Sequence, residues 1–254
     1  MEVYYIVVFF ILGTIMASFF NVVGSRRANG QSIVSPRSHC TKCGHVLKPI
    51  ELIPIFSFLI QGGKCKACKT KLSWIYPIHE FCTGALYALS FYQYGFSIDF
   101  AIALTFVSML SIVFISDYES MIILDEVLAI GAVLLIIEYC IRDGINDTCY
   151  YILSGCIAFG IMYLLKLFGD FLFQKESMGG GDIKLLFVFG LVLGFQMSVV
   201  AIFLAALIGL PIALIVTYKK QTNIIAFGPF LIIAALILYF THFSWNQLVA
   251  FLIA

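Results

Sequence analysis

Eight apolar runs, each near the ~20 residues that cross the hydrocarbon core of a bilayer, follow one another along this chain and dictate what it can fold into. They cover residues 3–23, 78–94, 98–116, 121–141, 149–168, 183–195, 197–218 and 224–243, with a tail at 245–254 that lies at the interface or extends the eighth. The sixth run is short. A chain that is 62% hydrophobic and 11% charged, with a mean hydropathy of +1.04, cannot clothe one water-soluble core in a solvated surface. The expected fold class is an all-α polytopic membrane protein of about eight transmembrane helices. The first run lacks a basic segment before it and is followed by Arg26 and Arg27, so no cleavable signal peptide is expected.

Orientation follows from the basic residues. Arg26, Arg27, Arg37, Lys42, Lys48, Lys64, Lys66, Lys69 and Lys71, nine of the fifteen Lys and Arg, all lie between the first and second runs. That loop is expected on the cytoplasmic side. With eight spans, Lys166, Lys175, Lys184, Lys219 and Lys220 also come out inside, Arg142 falls outside, and both termini are external. Single cysteines at Ser177 and Thr222 should then react only from inside, and one at Asn146 from outside. The expected organisation is a first transmembrane helix at 1–23, a small cytoplasmic domain at 24–77, and a transmembrane domain at 78–254.

Two aspartates stand at mouths of apolar runs. Asp117 closes the third run in Ile115-Ser116-Asp117-Tyr118-Glu119, and Asp182 opens the sixth in Met178-Gly179-Gly180-Gly181-Asp182-Ile183-Lys184. An ionisable group there is expensive unless it works. Although 65 positions apart, the two are expected at one membrane face, where a pair of carboxylates can perform acid/base hydrolysis. The three glycines permit positive φ and close backbone approach. A helix N-terminus favours a carboxylate and a C-terminus disfavours one, so Asp182 is expected to hold the charge and Asp117 the proton. Asp125 and Glu126 suit the first turn of the fourth helix, and Asp125 also stands as a brace for the site. Glu80, following His79 at the entry of the second run, faces either a headgroup or the substrate.

The 24–77 loop carries Cys40-Thr41-Lys42-Cys43 and Cys65-Lys66-Ala67-Cys68, two C-x-x-C pairs separated by 21 residues. In a reducing cytoplasm this favours tetrahedral zinc held by Cys40, Cys43, Cys65 and Cys68 over disulfides, although the gap is slightly wider than the usual four-cysteine pattern. His39 and His45 are spare ligands. Cys82, Cys140, Cys149 and Cys156 show no ligand spacing and read as apolar packing residues. No dinucleotide or phosphate-loop motif is present, and no nucleic-acid partner is expected.

At these residues the chain resembles the type IV prepilin peptidases, a family within the intramembrane aspartyl proteases marked by Gly-x-Gly-Asp. Gly179-Gly180-Gly181-Asp182 matches that motif, with Lys184 two positions on, and Asp117 matches the family's first aspartate, with Asp125 at a later one. Pro36 through Gly44, Glu51-Leu52-Ile53-Pro54 and the second C-x-x-C resemble the family's cytoplasmic zinc domain, and Phe227-Gly228-Pro229-Phe230 also fits. Leu124 departs from a family proline and Glu119 from a common aspartate. The resemblance implies a bacterial inner-membrane enzyme with its site facing the cytoplasm. Its activity would be removal of a short basic leader from type IV prepilin or pseudopilin precursors. It also implies methylation of the new N-terminus with S-adenosylmethionine in many members, for which no donor-binding residues are recognisable. Asp117 and Asp182 would be catalytic, with Gly179, Gly180, Gly181, Lys184 and Asp125 supporting them. The nine basic residues argue against attraction of a basic leader and for contacts with anionic lipid. A proton-coupled transporter and a non-catalytic pilus-assembly component remain the alternative readings.

Overall fold

The computed structural model describes residues 1–174, 179–220 and 226–253, and Lys175, Ser177, Met178 and Thr222 lie outside the described residues. The helices are α1 (Glu2–Ala28), α2 (Phe56–Ile60), α3 (Ile75–Tyr94), α4 (Ile98–Ser120), α5 (Asp125–Asp143), α6 (Ile145–Phe173), α7 (Gly180–Leu193), α8 (Phe195–Lys220), α9 (Gly228–Thr241) and α10 (Trp245–Ile253), with a 3₁₀ turn at Pro49–Leu52. Among the described residues the remaining regular pairing is two isolated antiparallel bridges in the cysteine loop. Each apolar run falls largely on one helix, and α1, α4, α6 and α8 are individually long and apolar enough to cross a membrane. The chain is an all-α membrane protein, divided into two compact units, Met1–Ser120 and Met121–Ala254.

In the first unit α1, α3 and α4 pack through small residues, as membrane helices do where lipid offers no hydrophobic drive for association. A Cβ on Gly84 would lie 2.6 Å from the Thr14 Cγ2, and one on Gly13 would lie 2.8 Å from the Gly84 Cα. These glycines let α1 and α3 touch backbone to backbone. Gly24 does the same for α1 against the Ile112 carbonyl of α4, at 2.8 Å. Between α3 and α4 the buried hydroxyls are paired: Thr83 with Ser111 at 3.0 Å and Tyr87 with Ser108 at 2.6 Å. Phe9, Phe91 and Phe100 close the far end, with ring centroids 4.8–5.8 Å apart.

In the second unit α6 and α7 cross on the same principle. A Cβ on Gly190 would meet the Ala158 Cβ and the Gly155 Cα at 2.7 Å. Consecutive helices turn on single residues, Gly144 (φ +84°) between α5 and α6 and Gly194 (φ +82°) between α7 and α8, a conformation that glycine adopts without penalty. The 121–141 run is helical only from Asp125. Met121 takes φ +56° and Leu124 is extended, so the break before α5 forms without the family proline. Leu124 itself has φ −76°, close to the value a proline would impose.

Candidate functional site

Asp117 lies in the last turn of α4, which ends at Ser120, and it is 5% exposed. Ser108 turns toward α3 and Ile115 toward α1. Nine residues at about 100° each carry Asp117 half a turn from Ser108. Asp117 and Ser108 therefore lie on opposite sides of α4. The neighbouring acid is engaged elsewhere, since the Tyr76 hydroxyl donates to the Glu119 Oε1 at 2.6 Å. Tyr118 stacks on Phe114, which stacks in turn on the buried His79 ring of α3 at 5.7 Å.

Asp182 is the third residue of α7 and 8% exposed, beside backbone N–H groups that a helix start leaves without intrahelical partners. Gly179 occupies the N-cap in extended backbone at φ −66°. None of the three glycines adopts the positive φ that the sequence suggested. What the structure requires is close approach at one of them. A Cβ on Gly181 would stand 2.6 Å from the Ile123 Cβ, whereas one on Gly180 meets nothing within 4 Å. The extended segment before α5 thus lies directly against the first turn of α7. One turn further on, the Lys184 Nζ pairs with the Asp125 Oδ2 at 2.6 Å. Ile123 and Asp125 together hold the start of α7 from the side.

The cysteine loop is built from two similar knuckles. The Gly44 N–H returns to the Cys40 carbonyl at 2.9 Å and the Lys69 N–H to the Cys65 carbonyl at 3.0 Å, each at a residue of positive φ that follows the second cysteine. The knuckles bring the Sγ atoms of Cys40, Cys43, Cys65 and Cys68 within 4.8 Å of one another. Cys40 lies 3.9 Å from Cys68 and Cys43 4.0 Å from Cys65. A tetrahedron with metal–sulfur bonds of about 2.3 Å has sulfur–sulfur edges of roughly 3.8 Å, so the four thiols fit such a metal.

Local hydrogen bonds prepare these thiols unequally. Backbone N–H groups of Cys43 and Lys42 draw the Cys40 thiol below its ordinary range. The Thr70 hydroxyl and N–H bring Cys68 down to about 6. At Cys43 the His45 N–H pulls downward, but desolvation and the neighbouring thiols outweigh it and push the group up to about 11. Neither histidine joins the cluster. His39 Nδ1 is 2.9 Å from the Arg37 carbonyl, and His45 meets the buried Glu51 at 3.3 Å. The Lys48 N–H, then His45, hold the Glu51 carboxyl below its usual range. Cys82, Cys149 and Cys156 are exposed instead of packed, because a surface turned to lipid is as apolar as a core.

Sequence comparison supplies the context for these groups. Residues 11–94 match the profile of the Bacterial Peptidase A24 N-terminal domain, and residues 104–214 match that of the Type IV leader peptidase family. A prepilin leader peptidase/N-methyltransferase of Bacillus subtilis (strain 168) is 38% identical over 202 residues, covering 80% of this chain and 79% of the relative. The protein of the same name from Neisseria gonorrhoeae is 31% identical, covering 82% and 72%. The one from Vibrio cholerae is 29% identical, covering 95% and 98%. This chain belongs to the type IV leader peptidase family. No solved structure matches it.

The structure also ties the cysteine loop to α3 through a contact that the residue types do not reveal. Glu80, buried in α3, accepts the Ile55 N–H at 2.8 Å. Ile55 is the centre of a γ-turn at φ +61°, ψ −56°, closed by the Phe56 N–H on the Pro54 carbonyl at 2.5 Å. A β-branched residue at positive φ is a genuine outlier, and this one is fixed by a carboxylate from a membrane helix. Glu80 was visible in the sequence as an acid in an apolar run. Its partner was not, because a backbone N–H leaves no trace in residue types.

Proposed function

We propose that this chain is a membrane aspartyl endopeptidase that cleaves the leader from type IV prepilin or pseudopilin precursors at the cytoplasmic face of the bacterial inner membrane, with Asp117 and Asp182 acting as a pair. The observation that carries this reading is the burial of both aspartates at the ends of apolar helices, one in the last turn of α4 and one in the first turn of α7, in a chain whose relatives bear the name prepilin leader peptidase. One carboxylate takes a proton from water as it attacks the scissile carbonyl; the other, protonated, polarises the carbonyl by a hydrogen bond and then gives its proton to the leaving amine as the carbonyl re-forms. The free N–H groups at the start of α7 favour negative charge, which assigns the base to Asp182 and the acid to Asp117. Gly181, Lys184 and Asp125 support the start of α7, with Gly179 and Gly180 completing the motif.

In the same proposal 24–77 is a cytoplasmic domain stapled by zinc on Cys40, Cys43, Cys65 and Cys68, since a short loop with few apolar residues draws its folding energy from the metal. The relatives' full name extends the proposal to methylation of the freed N-terminal amine with S-adenosylmethionine as donor. A proton-coupled transporter would place its acids at the interface between internal repeats, and the sequence carries no convincing internal repeat. Incubating the detergent-purified protein with a prepilin-like peptide should yield the leader and the shortened product by mass. Asp117→Asn and Asp182→Asn should each abolish that product at matched expression. Substantial turnover by either variant removes that residue from the pair.

A further inference from the structure

The helix α2 presents apolar side chains on both of its sides. Phe58 is buried against Trp74, with ring centroids 4.7 Å apart. Phe56, Leu59 and Ile60, related as i, i+3 and i+4 and so sharing the opposite face, are 66%, 55% and 84% exposed. Three large apolar residues on one short helix face have no role in water. Residues 24–74 contain nine Lys and Arg and a single acid, Glu51, which is buried against Lys48 and His45. The loop therefore shows no exposed carboxylate. Lys64 and Lys71 face each other in an antiparallel bridge shortly after α2, and Lys66 and Lys69 are exposed at the turn between them.

The loop runs between α1, which is long and apolar enough to cross a membrane, and the apolar α3, and Trp74 is the residue immediately before α3. The start of α2 is fixed to α3 by the Glu80 bond to Ile55, in a backbone conformation that needs such a hold. We infer that α2 is an interfacial wedge: its Phe56, Leu59 and Ile60 face enters the headgroup–acyl boundary of an anionic phospholipid leaflet, and the Lys64–Lys71 hairpin lies over the headgroups. An apolar face with cations beside it is the pattern that binds bilayer surfaces, and a water-facing domain of one charge sign suits an anionic lipid better than a basic leader. The inference rests on the membrane location of α1 and α3 and not on the peptidase reading.

A single-tryptophan reporter tests it without any turnover. In full-length protein carrying Trp74→Phe and Trp245→Phe, Ile60→Trp is reconstituted into phosphatidylcholine bilayers with and without phosphatidylglycerol. Quenching by brominated lipid reads insertion, and quenching by acrylamide reads water. Insertion predicts strong lipid quenching and weak acrylamide quenching in the anionic bilayer. Changing Lys64, Lys66, Lys69 and Lys71 to Gln should return the reporter to its value in the neutral bilayer. Full acrylamide access in both bilayers overturns the inference. So does protection that develops only when a prepilin-like peptide is added, which would assign the face to the peptide. Cleavage activity can fail or persist independently of either result.

Discussion

Gly180 and Gly181 are adjacent in the sequence and face opposite demands. A methyl group added at Gly181 must displace Ile123, while one at Gly180 enters open space. Gly181→Ala should therefore reduce cleavage by an order of magnitude or more, whereas Gly180→Ala should stay within a few-fold of the parent; kcat for each, at matched expression, checks the contrast. An Ile123→Ala change in the Gly181→Ala background should recover part of the loss, since the clash is between those two side chains. The Lys184–Asp125 pair makes a different prediction. Both partners are half-exposed or more, and such pairs contribute roughly 0–1 kcal/mol. Lys184→Ala should lower kcat while leaving the melting temperature nearly unchanged, and exchanging the charges as Lys184→Asp with Asp125→Lys should restore part of the rate. A melting temperature that falls in step with kcat would make the pair structural instead.

At the scale of elements, the cysteine loop is expected to carry one metal ion per chain, lost when Cys40 and Cys43 are both replaced by Ser; metal analysis of the purified protein measures it. Acid should loosen this loop for two separable reasons. Protons compete with the metal for the thiolates. In addition, Glu51 has its folded carboxyl held low, so its contribution is present above the unfolded value near 4.3 and is lost as pH falls through the lower folded one. Hydrogen exchange of the 40–71 backbone, compared between parent and Glu51→Gln, should show the second effect only in the parent. The four-thiol cluster was legible in the sequence because a knuckle places its two thiols at fixed i and i+3 positions. It likewise showed where apolar helices lie, because helices in lipid need length and hydropathy above all. Of its two expectations for the glycines before Asp182, close approach holds at Gly181, against a neighbour 58 positions away in Ile123, and positive φ does not; it also started the fourth helix four residues early. Both errors concern contacts and backbone angles that residue types do not encode.

At the scale of the whole molecule, the proposed orientation rests on the nine basic residues between α1 and α3. Impermeant labelling of intact cells should therefore miss a cysteine placed at Gln61 and reach one placed at Asn146, in a background without Cys82, Cys140, Cys149 and Cys156. Labelling at Gln61 from outside would invert the chain and move the proposed reaction to the wrong compartment. The same arrangement turns the brevity of α7 into a statement about depth. Twelve residues separate Asp182 from the Gly194 turn, a rise of about 18 Å, and the hydrocarbon layer is about 30 Å thick. With Gly194 at the outer boundary, Asp182 stops short of the inner one by roughly 12 Å. Under the proposed mechanism the carboxylate would work submerged, and both the peptide bond and the water that cuts it would have to descend to meet it. Bilayers of shorter-chain lipid should shorten that descent and speed cleavage.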